Sequence, residues 1–261
     1  MIAELHNKIS AESNNLERSE DKLTGDFFGT LRYLPFEIGM KPILLPVRFK
    51  EKEIAQEWMN RIHLEKGYMT DMQFWYGHEE GEIDLLIPLS TINIGIEIKY
   101  LSGISSEDEN TEASLEYEES CNQLARYSRM LKDISHDKTP YLIFLAPFKM
   151  MREVMPSLQT RSIIAPGVFL GFLCWEDVLD SLREIDSISL DQGQQMIIND
   201  LQSLLLKKGF LRYKGISTDI ISKTVAKSDF YYFHAITKNL HTLNWPSHNI
   251  YKEDTYVFSN Q

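Results

Sequence analysis

Cysteine is scarce in this chain. Among 261 residues only Cys121 and Cys174 are cysteines, 53 positions apart. That spacing makes neither a zinc pattern nor a disulfide framework. Both read as plain buried thiols, and a reducing cytoplasm is the expected compartment. No apolar run approaches the roughly 18 residues of a membrane span, so no membrane partner is expected. The opening stretch, residues 1–22, is polar and lacks the apolar core of a secretory signal. No G-x-x-x-x-G-K-[ST], G-x-G-x-x-G or H-E-x-x-H occurs, which gives no support to an NTPase, a dinucleotide enzyme or a zinc protease. Basic charge is short as well: 27 Lys and Arg face 38 Asp and Glu, a net charge of −11. A negative chain is not an obvious binder of polyanions. The excess is local, however. Residues 104–119 hold seven acids and no base, and without them the balance is −4. A cleft elsewhere can still be positive.

The composition itself is ordinary for a globular protein, with 43% hydrophobic and 25% charged residues. Apolar positions recur at helical spacing from Leu16 to Leu34, and Pro35 stops them. Residues 51–64 give a second helix. Three strand-like runs follow, at Asp71–Tyr76, Ile83–Ile87 and Ile92–Leu101, joined by short turns as in an antiparallel meander. The last alternates with period two. Past the acidic stretch, which reads as a solvated loop, Tyr117–Leu131 has a helical stripe. Residues 140–146 (PYLIFLA) form the continuous apolar run of a strand buried on both faces. Val168–Trp175 is a second such run, followed by helices at 176–182 and 191–208, with Gly209 as a C-cap. The order predicts an α/β fold with a mixed central sheet flanked by helices. The division expected is a main domain over 1–209 and an aromatic-rich extension over 210–261 packing on it.

The chemistry concentrates between Gly81 and Lys99. Asp84 lies on the second strand, and Glu97 and Lys99 lie two residues apart on the third. Period-two alternation puts Glu97 and Lys99 on one face and Ile96 and Ile98 on the other. In a hairpin, Asp84 would stand beside Glu97. Two adjacent carboxylates repel, and a divalent cation such as Mg²⁺ relieves the conflict. A lysine beside them can orient a water or stabilise developing negative charge. Glu-x-Lys alone carries no weight, since Glu20-Asp21-Lys22 also matches it. The conjunction with Asp84 on the preceding strand is the signal. Without it, the three side chains equally suit a solvated sheet face with a cross-strand ion pair.

That conjunction resembles the PD-(D/E)xK, or restriction-endonuclease-like, nuclease superfamily, whose core is a helix, a three-stranded antiparallel meander, a helix and a strand. The resemblance covers about Leu16 to Ala146. Asp84 takes the place of the motif aspartate, Glu97 of the second acid and Lys99 of the lysine. Ile83 stands where many members have proline. The resemblance implies a metal-dependent DNA nuclease using Mg²⁺, with Mn²⁺ able to substitute. Asp84, Glu97 and the backbone carbonyl of Ile98 would be the ligands, and the product would carry a 5′-phosphate. It further implies an acid on the first helix, where Glu20 is the first candidate and Glu17 the second, or else a plain helix N-terminal acid. On the helix after the third strand Gln123, with Tyr127 one turn on, matches the glutamine of exonuclease-like and defence-associated branches. There Gln123 would hold the lysine or a phosphate, while Tyr127 reads as core. The stretches LTGDFFGTLRYLP and FLCWEDVLDSL resemble bacterial members associated with phage defence.

Two further readings stay open. A nuclease fold that has lost catalysis would serve as a binding or assembly subunit, which suits the net charge and the aromatic tail. Cutting both strands often requires a homodimer or a partner subunit, for which no interface is legible. His78, in the turn between the first two strands, is the one histidine placed to approach a substrate.

Overall fold

The computed structural model describes residues 15–101 and 120–212, apart from the side chains of residues 15–18 and 159–160. It is an α/β fold with a five-strand mixed sheet flanked by helices. The chain runs α1 (Asn15–Leu31), α2 (Met40–Leu44), α3 (Lys52–Leu64), β1 (Gln73–His78), β2 (Gly81–Pro88), β3 (Ile92–Ile98), α4 (Gln123–Ile134), β4 (Thr139–Ala146), α5 (Phe148–Thr160), β5 (Phe169–Cys174), α6 (Trp175–Glu184), a short 3₁₀ turn and α7 (Gln192–Lys207). The sheet order is β1-β2-β3-β4-β5. The first three strands pair antiparallel, and β4 and β5 add parallel to β3. No helix among the described residues is long and apolar enough to cross a membrane.

Side-chain alternation builds two cores. On β4, Tyr141, Ile143 and Leu145 enter one, and Leu142, Phe144 and Ala146 enter the other. The first core lies under α1, α2, α3, α6 and α7, the second under α4 and α5. The continuous apolar run at 140–146 is therefore what a strand with helices on both sides requires. The alternating run differs from its expected environment. Every residue of β3 is buried. Ile92, Ile94, Ile96 and Ile98 fill the first core, while Asn93, Gly95 and Glu97 lie beneath α4 rather than in water. Gly95 makes that cover close, since a Cβ there would come within 2.6 Å of Ile83 Cδ1 and 2.9 Å of Leu131 Cδ1.

Other differences are local. The third strand ends at Ile98, not Leu101. Residues 148–160 form a helix that sequence patterning leaves unassigned, because Pro156 interrupts it. Cys174 is buried, but Cys121 is exposed. The last helix has a capping box from Asp191 and Gln194, and Gly209 follows it at φ 87°. The free edge of β5 is covered by Arg48, which exchanges backbone hydrogen bonds of 2.9 Å with Phe172. The chain divides at residue 212 into units of 1–212 and 213–261. Phe210 belongs with the first, where it stacks on Trp175. The aromatic tail beyond residue 212, the acidic stretch 104–119 and the start of the third predicted helix lie outside the described residues.

Gly95→Ala tests the closeness of α4 and β3. Overpacking of this kind costs about 1–3 kcal/mol, so urea unfolding of the variant should show a lower midpoint with an unchanged slope.

Candidate active site

Asp84, Glu97, Lys99 and Glu20 come together where β2 and β3 part. The ladder between these strands runs in register from Pro88↔Asn93 to Leu85↔Ile96. The next pair would be Asp84 and Glu97, but the backbone ladder stops one step short. Instead the Asp84 carboxylate accepts the Ile98 N–H at 2.7 Å. In a strand, a residue's N–H and C=O leave on the same side, so the Ile98 carbonyl also points toward β2 beyond the last pair.

Lys99 is fixed at three points. Its N–H donates to the Leu145 carbonyl at 2.7 Å. Its carbonyl accepts the indole N–H of Trp175 at 2.9 Å. Its ammonium lies 2.7 Å from Glu97 Oε1 and 3.3 Å from Glu20 Oε1. Glu20 reaches over from α1, and its other oxygen accepts the Tyr100 N–H at 2.8 Å. Thus Glu20 joins the cluster rather than capping its own helix. The Glu17 side chain lies outside the described residues. Glu97 is 2% exposed and Lys99 5%, which removes the reading of a solvated sheet face.

Burying these charges has a cost that shows in their protonation. Burial first, and the charge of Glu97 next, push Asp84 well above the usual carboxylate range, against the pull of Lys99 and the Ile98 N–H. Burial likewise raises Glu97, to about 7, despite Lys99 beside it. The Lys99 ammonium is opposed by burial, yet Glu97, Glu20 and Asp84 together outweigh that and hold it above its ordinary value.

The strand opposite Asp84 is irregular. Register pairs on either side, Phe74↔Leu85 and Tyr76↔Ile83, leave Trp75 facing Asp84. Trp75 has φ 49°, an uncommon conformation for a bulky side chain that costs on the order of 1–3 kcal/mol. Its indole N–H donates to Asp21 on α1 at 3.1 Å. Side-chain alternation also breaks here. Phe74 and Trp75, though adjacent, share the first core, and Ile83 enters the second core.

Gln123 does not reach Lys99 through any bond described. Its amide donates to the Tyr127 hydroxyl at 2.9 Å, and that hydroxyl donates to the Glu82 carbonyl at 2.5 Å. Gln123 and Tyr127 therefore lace α4 to β2 two residues before Asp84. Tyr127 is core, as its apolar stripe predicts, but its phenol also borders the acids. Burial, and then the charge of Glu97, push its pKa up. His78 stands elsewhere, 3.3 Å from Asp133 at the far end of α4. That end is about 15 Å along the helix from Gln123.

The donor set suits a hard divalent cation. Asp84, Glu97 and the Ile98 carbonyl offer only oxygens, and the two carboxylates are held together against their mutual repulsion. Among the described residues no three His, Cys, Asp or Glu side chains form a cage by themselves. Lys99 accounts for this by standing between Glu97 and Glu20. Mg²⁺ binds through one or two carboxylates with waters and phosphate oxygens, so a closed cage is not required. Beside the cluster, and not including it, a groove of about 770 Å³ runs past Tyr100, Asn122, Pro147 and Lys149 to Arg161. Comparisons with protein-family models, curated proteins and solved structures give no match.

Sequence reasoning missed Trp175, whose indole holds Lys99. Its position at the start of the helix after a buried strand is visible in FLCWEDVL, but nothing there names its partner. It also missed the Trp75 kink, which has no glycine or proline to announce it.

The charge balance predicts opposite stability effects. Lys99→Ala leaves two buried carboxylates and the half-buried Asp84 without a counter-charge and should lower stability by about 3 kcal/mol. Asp84→Asn keeps an oxygen for the Ile98 N–H while removing one like charge. It should raise stability by about 0.5–2 kcal/mol. Thermal unfolding of both variants in metal-free buffer checks the signs.

Proposed function

We propose that this protein is a divalent-metal-dependent nuclease that hydrolyses phosphodiester bonds of DNA. The observation that carries the reading is the convergence of Asp84, Glu97, Lys99 and Glu20 at the parting of β2 and β3. The chain order of helix, antiparallel meander, helix and parallel strand supports a restriction-endonuclease-like core around it. Strain at Trp75, directly across from Asp84, agrees with a site at which the backbone is held away from its resting geometry.

On this reading Asp84, Glu97 and the Ile98 carbonyl hold Mg²⁺ or Mn²⁺. Such an ion supplies Lewis acidity and neutralises charge at the phosphorus. Lys99 has three N–H donors. Two are directed to Glu97 and Glu20, and the third is left for the attacking water or for the oxygen that gains charge. Glu20 keeps the ammonium in place and charged. Trp175 and Leu145 fix the backbone from which it projects. Attack in line forms the new P–O bond, breaks the bond to the 3′ oxygen, and returns a proton to that oxygen. The products are a 5′-phosphate and a 3′-hydroxyl.

One observation favours a second reading. The Lys99 ammonium already pairs with both Glu97 and Glu20, a contact that a catalytically silent binding subunit could keep without an ion. A role in defence against foreign DNA rests on the sequence resemblance alone.

Purified protein incubated with linear, nicked, supercoiled and single-stranded DNA in Mg²⁺ or Mn²⁺ tests the proposal. Cleavage is expected only with metal, and Lys99→Ala and Asp84→Ala should each reduce it by about a hundredfold or more. A protein that leaves all these forms intact, and gives no heat on titration with Mn²⁺, would sink the nuclease reading and favour the binding subunit.

A further inference from the structure

The carboxylate cluster repels the substrate proposed for it, so some cation must hold a phosphate at its rim. Arg126 occupies such a place. It lies on α4 between Gln123 and Tyr127, half-buried, and makes no ion pair among the described residues. The acid that feels its charge, Glu80, is bound on both oxygens by Arg129, at 2.7 Å each. The pairing of Glu80 with Arg129 leaves the Arg126 guanidinium without an ion-pair partner among the described residues.

Nor is that guanidinium loose. It rests against Gly81, where a Cβ would come within 2.8 Å of Nη2 and 3.4 Å of Cζ. Gly81 sits at φ +137°, which side-chain-bearing residues rarely adopt. The turn between β1 and β2 is thus open backbone at the point where the arginine crosses it. The same Cβ position is 3.3 Å from the Tyr127 ring, whose hydroxyl bonds Glu82 and whose phenol senses Glu97 and Asp84. Arg126 is therefore a positioned cation, unpaired among the described residues, beside the tyrosine whose phenol borders the acidic cluster.

We propose that Arg126 binds a backbone phosphate of DNA adjacent to the bond that is cut. This rests on the nuclease reading and adds to it the residue that offsets the site's negative charge. A guanidinium presents a planar fork of donors that matches two phosphate oxygens. In a chain of net charge −11, few cations share this task, so removing one should be conspicuous.

The test uses the full chain and a labelled duplex, with Ca²⁺ replacing Mg²⁺ in binding experiments across a series of salt concentrations. Arg126→Ala should weaken binding about tenfold. It should also make the slope of log K against log salt shallower by about 0.9, the release of one phosphate contact. Lys132→Ala, which removes a charge from the same helix near its other end, should change neither. Arg126→Gln preserves the side chain's length and packing against Gly81, and should behave as Arg126→Ala does. Duplexes carrying one neutral methylphosphonate at successive positions then locate the contact. One position should weaken the wild type and leave Arg126→Ala unaffected.

Unchanged affinity and slope in both Arg126 variants, in a wild type that cuts DNA, overturn this inference and leave the nuclease reading standing. Equal sensitivity of wild type and variant at every methylphosphonate position also overturns it. A wild type that neither binds nor cuts DNA overturns both. Binding and cutting confined to RNA overturn the assignment of DNA.

Discussion

The Lys99 ammonium is the charge on which this structure turns. Three carboxylates from two strands and a helix are gathered in a largely buried place, and a single cation stands among them. Buried charges are tolerated only when paired and hydrogen-bonded. Every surrounding contact meets one of those needs. Glu97 and Glu20 take the ammonium, the Ile98 and Tyr100 amides donate to one oxygen each of Asp84 and Glu20, and Trp175 and Leu145 hold the lysine's own peptide groups. Packing against Trp175 is correspondingly dense, with Phe27 edge-on at 5.2 Å and Phe210 stacked at 5.4 Å. The cluster thus ties α1, β2, β3, β4 and α6 to one point.

The balance is also incomplete in an informative way. One ammonium cannot neutralise three carboxylates, and burial first, with the neighbouring acids after it, raises the affinity of Asp84 and Glu97 for protons. Stability alone would favour fewer acids. Retaining them beside a strained Trp75 is what the proposed catalytic role would require at the expense of stability. Arg126, outside the cluster and without an ion pair among the described residues, extends the same logic to the proposed rim.

Much of this was legible in the sequence, for a definite reason. Asp84 and Glu97 lie on short strands and Lys99 follows the second of them directly, so the chain order and the period of two pointed to one cluster before any packing was known. The buried strand at 140–146 announced itself by continuous apolar character. What stayed illegible depended on neighbours far along the chain. Alternation in β3 looks half-exposed, because Asn93, Gly95 and Glu97 are polar or small, yet α4 covers them. Helix α5 was hidden by Pro156. Gln123 was marked by resemblance, while its bond to Tyr127 was not foreseen. Trp175 and Arg126 matter through a carbonyl and a glycine that no local pattern links to them.

Lys99 draws its backbone partners from later in the chain. Glu20, Asp84, Glu97 and Lys99 all leave the ribosome before Leu145 and Trp175. Domains fold as units during synthesis, and β3 becomes a central strand only once β4 exists. The four charged residues are thus present long before anything can hold them in place. Synthesis must pass residue 175 before the cluster can close, and a chain truncated short of that point would carry every charged group of the site and none of its order.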